Sequence, residues 1–207
     1  MLETEPTYAA ELFGDRIDLA RAFTADLAQH GEERGLIGPL ELERLWSRHV
    51  VNSALVAPLL VAGRVGDVGS GAGLPGLVLA IARPDAQLVL IEPMERRTDW
   101  LTEEADRLGL DNVTVLRGRA EDARPDPLLD QVTARAVSAL SKLVPLCAPL
   151  LRPGGELILL KGARVQEEIV AAEKALRKAR VSEPEVLVLG EGLVPEVTRV
   201  FRAKVNA

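Results

Sequence analysis

The chain of 207 residues has room for one sizeable α/β domain with a small helical addition, and none for a second, substrate-binding domain. Apolar residues make up 47%, charged residues 27% and aromatic residues 3%, the balance of a globular protein with an aliphatic core. A formal net charge of −6 argues against nonspecific wrapping of nucleic acid, and leaves room for a local basic patch that meets a folded target through its shape. No run of about 18 apolar residues and no signal-peptide pattern occurs, so a cytoplasmic protein with no membrane partner is expected.

Residues 1–60 are predicted to be helical. Leu12/Phe13, Ile17, Ala20, Phe23 and Leu27 recur at near-helical spacing, with Gly31 and Gly35 as stops. A second segment begins near Pro39 and carries Leu42, Leu45/Trp46, Val50 and Leu55. Arg44 and Arg48, Arg48 and Asn52, and His49 and Ser53 are each four apart, which gathers them along one helix flank. That flank reads either as a solvated face or as a contact for an anionic partner, and Trp46 as a core residue or a base-stacking platform.

From Arg64 onward, strands and helices alternate, which predicts a parallel sheet covered by helices on both faces. The first strand runs into Asp67-Val-Gly69-Ser-Gly71-Ala-Gly73-Leu74-Pro75-Gly76, four glycines within eight residues, where the backbone needs positive φ or must approach a ligand. Pro75 suits the first position of a helix over Leu77 to Ile81 that Pro84 ends, so that helix's free N–H groups face the loop. Gly71-x-Gly73-x-x-Gly76 satisfies the dinucleotide fingerprint. Asp67 discriminates among cofactors, because a carboxylate there suits a methionine ammonium or sulfonium and repels a pyrophosphate, which favours S-adenosylmethionine over a nicotinamide or flavin. Glu92, closing the apolar strand Gln87 to Ile91, is placed to accept ribose hydroxyls from either kind of cofactor.

Met94, Leu101, Ala105 and Leu108 form the stripe of the next helix, capped by Gly109. Arg96 and Arg97 in its first turn oppose the helix dipole; they are either chance surface cations or contacts for an anion such as RNA phosphate. After the strand Val113 to Leu116, Glu121 or Asp122 is the candidate acceptor for an adenine amino group. A fourth strand, about Asp130 to Ala134, ends in Arg135-Ala136-Val137-Ser138 at the carboxyl edge, where ligands of such sheets bind. Neither Asn-Pro-Pro-Tyr nor Asp-Pro-Pro-Tyr, the usual site for an exocyclic amine, stands there, nor a cysteine to attack a pyrimidine carbon. Cys147 lies in an apolar run and reads as a buried hydrophobe. Leu151-Arg-Pro-Gly-Gly155 before the strand Glu156 to Leu160 is a turn resembling that of Rossmann-like methyltransferases. Lys161 and Gly162 end that strand; Val165, Ile169, Ala172, Leu176 and Ala179 make one helical stripe; and the runs Val186 to Leu189 and Val197 to Val205 close the sheet as a hairpin-like pair. Two histidines are too few for a zinc site, and no metal is expected.

Asp67 to Gly76, Ile91-Glu-Pro-Met-Glu-Arg-Arg97, Gly118-Arg-Ala-Glu121, Ala134-Arg-Ala-Val137, Leu160-Lys-Gly162, Arg48-His49 and Asn52-Ser53 together resemble the bacterial glucose-inhibited division protein B family, over almost the whole chain and in the same order. The resemblance implies a Rossmann-like S-adenosylmethionine-dependent methyltransferase fold, a mostly parallel seven-stranded sheet over residues 61–207 with an N-terminal helical extension over 1–60. It implies methyl transfer to N7 of a guanine in 16S ribosomal RNA, with the small ribosomal subunit as partner; a monomer is expected. It also implies cofactor roles for Gly69 and Leu74 in the loop, Glu92, Pro93 and Met94 at the ribose, Ala120 and Glu121 at the adenine, and Arg135 in the pocket. Arg48, His49, Arg96, Arg97 and Lys161 are extrapolated as RNA contacts. Guanine N7 already presents a lone pair and carries no proton at neutral pH, so no acid or base residue is assigned as catalytic. A small-molecule methyltransferase and a noncatalytic cofactor-binding module are the competing readings; Asp67 and the Pro-Gly-Gly turn disfavour a nicotinamide oxidoreductase.

Overall fold

The computed structural model describes residues Leu2 to Asn206. Its strands are β1 (Arg64–Val68), β2 (Gln87–Glu92), β3 (Val113–Arg117), β4 (Leu129–Arg135), β5 (Leu151–Lys161), β6 (Val181–Leu189) and β7 (Thr198–Val205). They form one seven-stranded sheet in the order β3-β2-β1-β4-β5-β7-β6. The first five are parallel, and β7 runs antiparallel to both β5 and β6, as the expected closing hairpin requires. The chain builds outward from β1 to β3 and then returns to the other side of β1. The switch point therefore lies between β1 and β4, the position where such sheets open a crevice at their carboxyl ends.

The helices are α1 (Ala9–Phe13), α2 (Ile17–His30), α3 (Asn52–Ala54), α4 (Gly76–Ala82), α5 (Glu95–Arg107), α6 (Leu140–Cys147), α7 (Val165–Ala171) and α8 (Glu173–Lys178). Two cores cover the faces of the sheet, and β2 shows why its sequence is apolar throughout. Leu88 and Leu90 point into one core and Val89 and Ile91 into the other, so a parallel central strand needs no polar side. Phe23, Leu27, Leu45 and Trp46 from the N-terminal segment share the first core with Leu77 and Leu88. Full burial of Phe23 is worth roughly 2–3 kcal/mol. Trp46 is thus a core residue, not a stacking platform. Cys147 is also buried, and desolvation pushes its thiol up to about 12.

Several local expectations are corrected. Pro75 caps α4 from outside, and the helix begins at Gly76. The single helix expected over Val165 to Ala179 breaks at Ala172, whose N–H is shared between the Glu168 and Ile169 carbonyls, a tightening that divides it into α7 and α8. β6 starts at Val181 and crosses Pro184 by a register shift between Ser182 and Glu185, with Glu183 at φ +53, an irregularity that an edge strand tolerates. Met94 is 39% exposed, and Trp100 fills the inner face of α5 with Leu101 and Ala105. The second N-terminal segment is a 3-10 turn (Leu42–Arg44), a π-helix (Leu45–Val51) and α3 in succession. Arg48 and Asn52 still share one flank, lining the same cleft, while Arg44 pairs with Glu41 and the half-buried His49 turns inward. Among the described residues, no helix is long and apolar enough to cross a membrane, and no group of histidine, cysteine and carboxylate side chains could hold a metal ion.

Candidate active site

The glycine loop after β1 occupies the switch point. Gly69 and Ser70 both donate their N–H groups to the Ile91 carbonyl, at 2.9 and 3.3 Å, which binds the loop to the end of β2. The Trp100 indole donates to the Ala72 carbonyl at 3.1 Å and ties the loop to α5 as well. Gly71 has φ +56, and a Cβ built there would meet only the Gly69 carbonyl oxygen, at 3.8 Å. The backbone thus presents a bare, open surface where a ligand can lie. Gly76 is needed for the opposite reason, since a Cβ there would stand 2.5 Å from Asp67 Oδ2.

Asp67 is fully buried. Its Oδ2 accepts the Gly76 N–H at 3.0 Å, while Oδ1 has no partner. Desolvation pushes the carboxyl up to about 7, against the opposing pull of hydrogen bonds and of Arg135. Glu92, 2% exposed, clamps two turns: Oε2 accepts from the Gly71 N–H and Oε1 from the Met94 N–H, each at 3.0 Å. Arg97 Nη1 stands 4.0 Å from Glu92 Oε2, and its Nε is enclosed without a partner. Arg135, on the last rung of β4, donates from Nη1 to His49 Nδ1 at 3.0 Å and to the Arg48 carbonyl at 3.4 Å. Its own Nε is likewise enclosed and unpaired. Burial pulls this guanidinium down to about 10, so it remains a cation at neutral pH.

Asp67 Oδ1, Arg97 Nε, Thr133 Oγ1, Arg135 Nε and Ser138 Oγ are five of the six buried side-chain atoms that lack a partner among the described residues. Buried polar atoms are normally satisfied, and these orphans sit on β1, α5, β4 and the loop after β4. Arg135 also lines an open cleft of ≈ 560 Å³ together with Arg48, His49, Lys161 and Arg199, with Glu196 facing Arg48 at 3.9 Å.

Glu92 thus joins Gly71 and Met94 by hydrogen bonds, Gly69 hangs on the end of β2, and Asp67 and Arg135 lie on the adjacent strands β1 and β4. Ala120 is half-buried and Glu121 exposed in the loop after β3, and Pro93 is exposed beside Met94. Leu74 is buried in the first core, and Gly73, at φ +90, packs against Leu77; both shape the loop from behind. Of the cations extrapolated to RNA, Arg48 and Arg96 are exposed. Arg97 leans toward Glu92, Lys161 is held by Glu168 at 2.7 Å and the Ser138 carbonyl at 2.9 Å, and the His49 ring is turned inward with both nitrogens engaged. Sequence reading missed Trp100, Thr133 and Glu41, none of which stands in a recognisable motif, and placed Ser138 at the carboxyl edge without a role.

A glycine loop over the switch point, a carboxylate closing β2 and an antiparallel β7 define a Rossmann-like methyltransferase. A methyltransferase described as S-adenosylmethionine dependent, from Aquifex aeolicus, has the same fold, with a TM-score of 0.56 at 20% identity over 78% of this chain and 92% of that one. Residues 16–195 match the family GidB, rRNA small subunit methyltransferase G, and the chain belongs to that family. It is 67% identical to the ribosomal RNA small subunit methyltransferase G of Leifsonia xyli subsp. xyli, over 99% of this chain and 98% of that protein. The corresponding protein of Clavibacter michiganensis subsp. michiganensis is 63% identical, over 99% of this chain and 97% of its own length.

Proposed function

We propose that this protein transfers a methyl group from S-adenosylmethionine to N7 of a guanine in 16S ribosomal RNA, as a monomer in the cytoplasm, with residues 61–207 holding the cofactor and residues 1–60 forming the RNA-side wall. The observation that carries this reading is the pair of buried, unpaired polar atoms on the adjacent strands of the switch point, Asp67 Oδ1 and Arg135 Nε, together with the bare backbone of Gly71. An anion acceptor and a cation donor together fit the zwitterionic end of a methionine, and would fit a pyrophosphate poorly.

The donor set fits the cofactor elsewhere too. Glu92 uses one lone pair of each oxygen on a backbone N–H and keeps the others for ribose hydroxyls. The half-buried Ala120 and exposed Glu121 stand in the loop after the neighbouring β3, which suits adenine. When bound, S-adenosylmethionine supplies an electrophilic methyl group on a sulfonium. The chain's own task is alignment. Guanine N7 carries no proton to remove, so holding the two reactants in line is the main contribution, and pre-orientation of this kind is worth on the order of 7–11 kcal/mol. The cleft carrying Arg48 and Arg199 suits an anionic substrate, and favours RNA over an uncharged small molecule.

Calorimetric titration with S-adenosylhomocysteine and with NAD tests the cofactor half of the reading: the first is expected to bind and the second not. Binding of NAD in preference would overturn it.

A further inference from the structure

His49 stands at the junction of the N-terminal segment and the sheet. Its Nε2 lies 2.5 Å from Glu41 Oε2, and its Nδ1 3.0 Å from Arg135 Nη1. A guanidinium nitrogen only donates, so Nδ1 is an acceptor without a proton, and the neutral ring carries its proton on Nε2 and gives it to Glu41. The π turn carries both His49 and the Arg48 carbonyl. The Arg48 carbonyl on this turn takes a second hydrogen bond from Arg135, at 3.4 Å, while Ser53 Oγ donates to the His49 carbonyl at 2.7 Å.

We infer that His49 is a positioning residue for cofactor binding: bridged to Glu41, its ring holds the Arg135 guanidinium by Nη1, so that the enclosed Nε–H stays aimed into the ligand site. The inference rests on the reading of Arg135 as a cofactor-holding residue. It gives His49, which sequence suggests as an RNA contact, a different task, and its side chain is only 12% exposed. An arginine has several rotatable bonds, and a fixed acceptor on one Nη removes most of that freedom before the ligand arrives.

The surroundings keep the ring neutral. Glu41 and Arg44 approach from the 3-10 turn, Arg48 from the same π turn and Arg135 from β4, with Asp67 beyond it; Lys161, Arg199 and Glu196 line the shared cleft. Burial lowers the His49 pKa, and the charges of Arg135 and Arg48 lower it further, against the pull of Glu41. Protonation on acidification removes the acceptor at Nδ1 and sets a third cation beside Arg48 and Arg135.

The test uses two variants of the intact protein, with folding checked by thermal melts. An asparagine carries its amide at the depth of Nδ1, and a glutamine carries it at the depth of Nε2. At about pH 8, where His49 is neutral, S-adenosylhomocysteine affinity is expected to stay near wild type in His49→Asn, whose amide oxygen replaces the acceptor for Arg135. In His49→Gln it is expected to fall about tenfold, the worth of one hydrogen bond to a charged group. Imidazole nitrogen NMR, simplified because His30 is the only other histidine, is expected to show Nδ1 unprotonated. Equal affinity in both variants, equal loss in both, or a proton on Nδ1 overturns the inference. Failure of the wild-type protein to bind S-adenosylhomocysteine would instead overturn the functional reading beneath it.

Discussion

At Asp67 stability and function oppose one another. A buried carboxyl with one unpaired oxygen is more easily protonated folded than unfolded, with its pKa moved from 3.8 to about 7. The stabilisation linked to that proton is complete below the unfolded value and is lost as pH rises through about 7. The ligand-free protein is therefore expected to lose melting temperature between about pH 5 and pH 8, and S-adenosylhomocysteine to restore more at the upper end. Asp67→Asn keeps an acceptor for the Gly76 N–H and removes the titration. Its ligand-free melting temperature is expected to vary less with pH and to exceed wild type at about pH 8, with cofactor affinity lost. A melting profile as steep as that of wild type would show that Asp67 is not the group responsible. Gly71→Val tests the loop beside it. Its Cβ enters open space, so the cofactor is displaced while the fold is retained apart from about 1–2 kcal/mol of left-handed strain. Affinity is expected to fall at least about a hundredfold, near 3 kcal/mol; unchanged affinity would mean that the ligand does not cross this backbone.

Two adjacent arginines at the start of α5 are expected to separate two functions. Arg96 is exposed and Arg97 reaches toward Glu92, so they are expected to respond differently to charge reversal. Arg96→Glu is expected to weaken RNA methylation, lower the salt slope of RNA binding by about one and spare cofactor affinity. Arg97→Glu sets a second carboxylate beside Glu92 and is expected to reduce cofactor affinity as well. Isothermal titration of each variant beside an RNA-binding salt series distinguishes them; identical behaviour would contradict the assignment. How far such features are legible in sequence depends on how local they are. The glycine loop, Glu92 and the alternation of strands and helices follow from contiguous runs. The π turn does not, because Leu42, Leu45, Trp46 and Val50 satisfy an α-helical and a wider repeat alike. Nor does the break at Ala172, which has neither glycine nor proline to announce it. The contact of Glu41 and His49 with Arg135 joins residues 86 apart between ring and guanidinium, and only the packed fold brings them together.

Over the whole molecule, an acidic chain with a net charge of −6 places arginines and a lysine around one cleft at the carboxyl edge of its sheet. That concentration reconciles overall acidity with an RNA substrate, since local charge governs phosphate contact. The N-terminal segment matters to the same end: sharing a core with β2, it sets Arg48 against the cleft and His49 against Arg135. The reaction to be tested is methyl transfer to guanine N7. The most direct test incubates the protein and methyl-labelled S-adenosylmethionine with small ribosomal subunits, and separately with deproteinised 16S rRNA, from cells lacking the modification, then digests the RNA to nucleosides. Label is expected in 7-methylguanosine from at least one of the two. No label in either, with cofactor binding confirmed, would contradict the account and point to a small-molecule substrate.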